Sequence, residues 1–536
     1  MPSKTRLPRS GAVAVLALHL VAAGLPTPTR GAEDPPATAP TDSAKRVQYV
    51  PDTVRAQIAE DVKKDVLEQI KNDSWAAPNA APAWTKRIRP YGDVRVRYEY
   101  ISFGQGNAAD GSFPDFAAIN AGSPFDVNGV DLADDRWLNV DQNRSRFRLR
   151  ARLGVDVNLG EGFALGIRLA SGDGSTPVST NQTLGGAPGV FSKYQVWLDE
   201  AFLRWEPIAR ESGGVMVEAG RFANPFFTAR DLLWSENVNF DGFAAAGELA
   251  TGAGWRPFVV AGAFPVFSTA LNYPLDSTTK SPSLDKWMFG GQVGAGWKSE
   301  GGIQLKLGLA FYDFVNVTGK LSPSCDTFLK NVVCSTDDTR PLFAQKGNTY
   351  MELRTPSAAA LQLEATSRVP RYQYYGLASQ FQELVATGRF DFPVTSSITG
   401  TLEGELAWNA GFKKGTVGEV AVNNRSACDG SGNCDQYAGG ALAYVGRIGI
   451  GSPTLDHQWD WNVALTYVHV ESDAVIDAFV NADFGLGGTN LKGFWIGGRV
   501  SLTDFLTTGV RWMSADNIVG PTFRVDVLQV DLWGRF

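Results

Sequence analysis

Apolar and polar residues alternate one for one along most of the chain beyond residue 91. Val94, Val96, Tyr98 and Tyr100 alternate with Asp93, Arg95, Arg97 and Glu99, and Arg144, Arg146, Arg148, Arg150 and Arg152 alternate with Ser145, Phe147, Leu149, Ala151 and Leu153. Ile303, Leu305, Leu307, Leu309 and Phe311 repeat the pattern. Alternation at 180° per residue predicts β-strands with one apolar and one polar face. Sixteen are predicted, at 91–103, 143–158, 161–172, 192–207, 213–222, 241–250, 255–267, 285–299, 302–315, 378–392, 396–410, 438–452, 457–471, 491–502, 505–514 and 522–536. The connections alternate in length as well: those at 159–160, 208–212, 251–254, 300–301, 393–395, 453–456 and 503–504 are short, and those between them are mostly long. A further hairpin from Thr349–Arg354 and Ala359–Ala365 would make eighteen strands.

A soluble sandwich would use shorter strands with turns every 8–12 residues. An even strand count with short turns on one rim and long loops on the other describes an all-β transmembrane antiparallel barrel. Tryptophans group at both ends of the strands, as expected where a barrel crosses two headgroup layers. Trp205, Trp255, Trp297, Trp459 and Trp461 lie toward the short turns, and Trp287, Trp408, Trp495 and Trp512 toward the long loops. In the last strand Leu528, Val530, Leu532, Gly534 and Phe536 share a face, and closure against the first strand is required because lipid tolerates no free edge. Phe523, Val525 and Val527 break that parity, for which a bulge near Val527 is the expected cause.

The N-terminus reads differently. Lys4, Arg6 and Arg9 precede the apolar run from Gly11 to Leu25, and small residues follow, which is the pattern of an export signal over 1–32. That run is too short for a spanning helix of ~20 residues. Residues 33–90 read as a linker holding one helix at 52–72, where Val54, Ile58, Val62, Val66 and Ile70 recur every fourth position. The barrel then occupies 91–536. The whole chain of 536 residues carries a formal charge of −7, which gives no reason to expect a nucleic-acid partner. Its 44% hydrophobic content excludes wholesale disorder.

Export places the four cysteines in an oxidising space. Cys325 and Cys334 are nine apart and Cys428 and Cys434 six apart, each pair in a loop-like stretch, so two local disulfides are expected. No His lies near either pair and no CxxC spacing occurs, which argues against zinc. No cofactor or catalytic set is read from the chain. After the signal only His457 and His469 remain, with no spacing that supplies a Ser–His nucleophile. Asp131, Asp134, Asp135 and Asp141 offer oxygen ligands for Ca²⁺ but lack the ligand order of an EF-hand, so a solvated acidic loop is the simpler reading. Gly291–Gly296 is no nucleotide motif, because no helix follows it.

Several stretches, in order, resemble the putative porin family of Gram-negative outer membranes: 75–80 (WAAPNA), Tyr91-Gly92-Asp93, 139–142 (NVDQ), 220–226 (GRFANPF), Phe240-Asp241-Gly242, Tyr312-Asp313-Phe314 and 375–379 (YGLAS). The resemblance implies an outer-membrane pore for small hydrophilic solutes and ions, surrounded by lipid and inserted through the barrel-assembly machinery by its last strand. Porins are commonly homotrimers, and their third long loop often folds inward. Sixteen strands enclose an aqueous channel. Arginine on the lipid face costs ~2–4 kcal/mol at mid-membrane, so Arg144, Arg146, Arg148, Arg150 and Arg152 are expected to face the lumen, with Arg95 and Arg97 beside them on one strand and Arg168 on the other. Asp231 and Glu236 on the third long loop would oppose them across a constriction. Two roles stay open: a selectivity wall, or arginines paired with neighbouring acids that only hold the wall together. An anion- or phosphate-selective channel, a surface adhesion barrel and an outer-membrane hydrolase are the competing functions.

Overall fold

The computed structural model describes residues 60–65, 85–127, 136–174, 176–229, 232–274, 278–367, 371–426 and 436–536. Residues 60–65 are helical, within the predicted 52–72 helix. The predicted export signal, Cys428, Cys434, Asp131, Asp134, Asp135 and Asp231 lie outside the described residues.

Sixteen long antiparallel strands form one closed sheet. In chain order they are β1 (Ile88–Phe103), β2 (Arg144–Gly160), β3 (Phe163–Ser171), β4 (Val196–Arg210), β5 (Gly213–Ala223), β6 (Asn239–Leu249), β7 (Trp255–Phe267), β8 (Lys286–Lys298), β9 (Gln304–Val315), β10 (Phe381–Pro393), β11 (Thr399–Asn409), β12 (Leu442–Gly451), β13 (Trp461–Val470), β14 (Leu491–Ser501), β15 (Leu506–Asn517) and β16 (Arg524–Arg535). Each pairs with its chain neighbour, and β16 closes on β1 without a register break from Asp93↔Arg535 to Phe103↔Val525. Beyond the strand, the Phe536 amide donates to the Gly92 carbonyl at 3.1 Å and the Gly92 amide to the Phe536 carbonyl at 3.2 Å. Glycine is needed there, because a Cβ at Gly92 would come within 2.7 Å of the Phe536 ring.

The outward face is apolar around the whole circumference. Phe147, Leu203, Phe243, Val293, Ile448 and Leu532 are 45–66% exposed. Apolar exposure on this scale is what a membrane-facing surface requires. Trp205, Trp255, Trp459 and Trp461 stand exposed at the short-turn end, and Trp408 and Trp512 at the other. Trp495 departs from the expected belt: it points inward, is 8% exposed, and packs on Phe484 at 5.4 Å.

The long loops, L1 (104–143), L2 (172–195), L3 (224–238), L4 (268–285), L5 (316–380), L6 (410–441), L7 (471–490) and L8 (518–523), share one rim. Several fold into that half of the barrel and build an apolar core with the inward side chains of the strands. Phe116 of L1 stacks on Tyr350 of L5 at 4.2 Å, and Trp234 of L3 packs on Phe479 of L7 at 5.5 Å. Each such aromatic buries 150–250 Å², roughly 4–6 kcal/mol of gross transfer free energy. This core explains the last strand. The β15–β16 and β1–β16 registers contain no bulge, and Val525 and Val527 occupy the same inward face as Gln529 and Asp531. They are apolar because the loops that meet them are apolar. L5 also corrects the eighteen-strand alternative: Tyr350–Glu352 pairs with Tyr375–Leu377 in a separate small sheet, and Ala358–Ser367 is a helix. Cys325 and Cys334 of L5 form the expected disulfide.

Candidate functional site

Antiparallel register converts the arginine alternation of two strands into a patch. Across β2, β1, β16 and β15 the inward rows run Arg152–Asp93, then Arg150–Arg95–Trp533–Thr507, then Arg148–Arg97–Asp531–Gly509, then Arg146–Glu99–Gln529–Arg511. Arg168 of β3 shares this face beyond Gly154. Arg144 stands apart, exposed near the long-loop rim opposite Ile101.

Most of these guanidinium groups hold a carboxylate. Arg97, 2% exposed, binds Asp531 through two parallel bonds of 2.7 and 2.9 Å, the fork geometry that makes such pairs strong. Arg150 and Arg152 share Asp93 at 2.9 and 2.6 Å. Arg146 donates to Glu99 at 2.5 Å, and Glu99 also accepts from Gln529 at 2.8 Å. Arg168 binds Asp199 and Glu200 at 2.6 and 2.7 Å. Two are different. Arg95 meets only the neutral Asn181 of L2, at 2.7 Å, and its buried Nε has no partner among the described residues. Arg148 lies 3.5 Å from the Ser179 hydroxyl and 3.6 Å from Glu99, with its Nε also unfilled.

Two loops bring acids to this wall. L3 crosses the interior from the opposite side. Its Phe227 main chain exchanges bonds of 2.8 and 2.7 Å with the Gln292 amide of β8, and the Ala229 amide donates to Glu405 of β11 at 2.8 Å. Further on, Glu236 lies 3.8 Å from Arg150, and the Asn237 side chain donates to the Val178 carbonyl of L2 at 3.2 Å. L7 supplies Asp483, whose Oδ2 accepts from Arg97 at 2.8 Å and from Arg511 at 2.5 Å. Lys346 of L5 holds L7 in place by donating to the Gly485 and Gly487 carbonyls at 2.5 and 2.9 Å. Burial pushes the Asp483 carboxyl up, but Arg97, Arg511 and Arg148 outweigh it and hold the group well below the usual carboxylate range. Enclosure likewise pushes Glu236 up, and Arg150 and Arg95 bring it below its ordinary value. Both acids stay ionised at neutral pH. Beside L3 a cavity of about 1060 Å³ opens among Arg168, Phe227, Thr228, Glu236 and Lys306.

Periodicity marks the arginines, and Glu236 is marked by its place on the third long loop, which the porin resemblance implies folds inward. Periodicity passes over Asp483, Arg511, Asp531 and Gln529. Asp93 and Glu99 were visible in the alternation of β1 and share the arginine face. His457 is exposed, 3.6 Å from Asp460, and His469 stacks on Tyr444 at 4.9 Å. Asp141 lies exposed in L1.

A closed sixteen-stranded barrel with an apolar exterior and charged loops crossing its interior defines a channel of the porin class. The profile of the putative porin family matches residues 15–536, and the chain belongs to that family. This places it in the outer membrane and points to a channel rather than an enzyme. Among solved structures it is similar to the outer membrane channel DcaP of Acinetobacter baumannii, at 12% identity and a TM-score of 0.37, covering 84% of this chain and 97% of that one. It is similar also to Pseudomonas putida OprB, at 11% identity and a TM-score of 0.39 over 84% and 95%, and to Salmonella typhi OmpF, at 8% and 0.36 over 84% and 97%. No curated protein sequence matches the chain.

Proposed function

We propose that the protein is a general porin whose lumen is water-filled and walled on one side by Arg95, Arg97, Arg146, Arg148, Arg150, Arg152 and Arg168. Small hydrophilic solutes and ions cross it passively between this wall and the L3–L7 acids Glu236 and Asp483. The observation that carries the reading is the meeting of two inward loops with one arginine face inside a closed barrel. Fixed charges of both signs at a narrow point orient dipolar solutes and filter ions. Residues 1–32 serve as the export signal, 33–90 as a periplasmic linker and helix, and the assembled form is a homotrimer inserted through the barrel-assembly machinery by β16.

A second reading, anion or phosphate selectivity, is favoured by Arg95, which meets the neutral Asn181, and by the Nε of Arg148, which has no partner among the described residues. Planar-bilayer recording in a salt gradient tests both. Replacing Arg146, Arg148 and Arg150 together with Ala is expected to move selectivity toward cations. Unchanged selectivity would leave the arginines a purely structural role. Block of chloride current by millimolar phosphate would favour the dedicated anion channel over the general pore.

A further inference from the structure

Away from the arginine wall, a second cavity of about 310 Å³ lies among L3, L5 and L7. Phe240, Phe264 and Phe314 from three strands form one side, and Trp234 of L3 and Phe479 of L7 close it, with Phe479 stacked on Phe314 at 6.1 Å. Cavities that bind small organic molecules begin near ~300 Å³, and ~150 Å³ of apolar lining accommodates a benzene. Three basic residues, Lys286, Arg221 and Arg340, and the carboxylate of Asp241 break the apolar lining. Lys286 is 6% exposed and has no carboxylate partner among the described residues; its ammonium donates only to the Thr339 carbonyl and lies 5.4 Å from the Phe267 ring. An ammonium has three donors, so two are left over. The other basic groups on the cavity are already engaged: Arg221 with Asp241 at 2.8 Å and Arg340 with Asp338 at 3.7 Å.

We propose that this cavity binds a small aromatic carboxylate, its ring among the phenylalanines and its carboxylate on Lys286. An aromatic guest meets ring edges and faces on several sides, the geometry aromatic pairs prefer. A buried cation short of acceptors selects the anion over its neutral analogue, because only the carboxylate brings an opposite charge to the bond. The bound molecule touches L3, L5 and L7 together, so the site is formed only when these three loops are folded in.

The probe is 4-fluorobenzoate, followed by ¹⁹F NMR line broadening with the refolded full chain in dodecylmaltoside micelles. Saturable broadening, reversed by unlabelled benzoate, is expected. Lys286→Met should weaken binding about ten- to hundredfold and leave the micelle partitioning of 4-fluorobenzyl alcohol unchanged. Ala478→Phe, which fills the cavity from L7 without removing charge, should abolish the saturable component. Heat-dependent gel mobility confirms that each variant is folded. Absence of saturable broadening with folded wild type, equal binding by Lys286→Met, or full binding by Ala478→Phe would each overturn the site, whether or not the protein conducts.

Discussion

Asp483 is the acid whose removal the arginine wall should register most clearly. Arg97 and Arg511 both bind Asp483, and Arg148 acts on it as well. Asp483→Asn therefore adds one unit of positive charge to the wall. At roughly 7 Å a unit charge acts on an ion in water with about 0.6 kcal/mol, and about half that survives screening at 0.1 M salt. The effect has opposite signs for cation and anion, so their permeability ratio should shift about threefold toward anions, a reversal-potential change of about 20 mV in a tenfold KCl gradient. Arg97 keeps its two bonds to Asp531 and Arg511 its bonds to Gln529, so the barrel itself should hold. Glu300→Gln, which removes the same charge at an exposed short turn, is the control and should move the potential far less. An unchanged potential in folded Asp483→Asn, or a shift toward cations, would refute the assignment of Asp483 to the ion path.

Four other outcomes follow from the same geometry. Arg97→Ala leaves Asp531 and Asp483 without their shared cation and should cost about 3–5 kcal/mol, seen as a lower heat-unfolding temperature, whereas Arg95→Ala strands no carboxylate and should fold normally while lowering anion preference. Gln292→Ala removes both bonds that hold Phe227 of L3 and should increase current noise at constant selectivity. Asp477 of L7 is pushed up to about 6 by burial, against its ordinary 3.8, so the folded loop binds a proton that the unfolded loop does not between those values. L7 should accordingly gain stability as pH falls from about 7 toward 4, read as greater amide-exchange protection of 472–490 after correction for intrinsic rates, with Asp477→Asn flattening the trend. Deleting Phe536 removes the two main-chain bonds to Gly92 and should lower the yield of inserted barrel in outer-membrane fractions.

Strand positions could be read from the sequence wherever one face met lipid and the other met water. All sixteen strands lie where alternation put them, with ends displaced by a few residues, because that contrast sets the register. The pattern failed where both faces are apolar. Val525, Val527 and Trp495 point into the loop core, so their hydrophobicity no longer marks the lipid side. Residues 358–367 form a helix in L5, and Tyr350–Glu352 pairs with Tyr375–Leu377 instead. The arginine wall is legible because five arginines repeat on one strand face, and Glu236 only through the porin resemblance, which implies an inward third long loop. Asp483 was not: it comes from the seventh long loop, hundreds of residues from Arg97, and is brought there only by tertiary packing through Lys346 and the apolar core. Nothing local in the sequence marks it.

Single-channel recording of the refolded wild-type protein in a planar lipid bilayer is the most direct check on a wet, charged passage through this barrel. Stepwise, nearly ohmic current increments that persist without any added ligand are the expected result. A folded, bilayer-inserted protein that stays electrically silent across a wide voltage range would contradict the account.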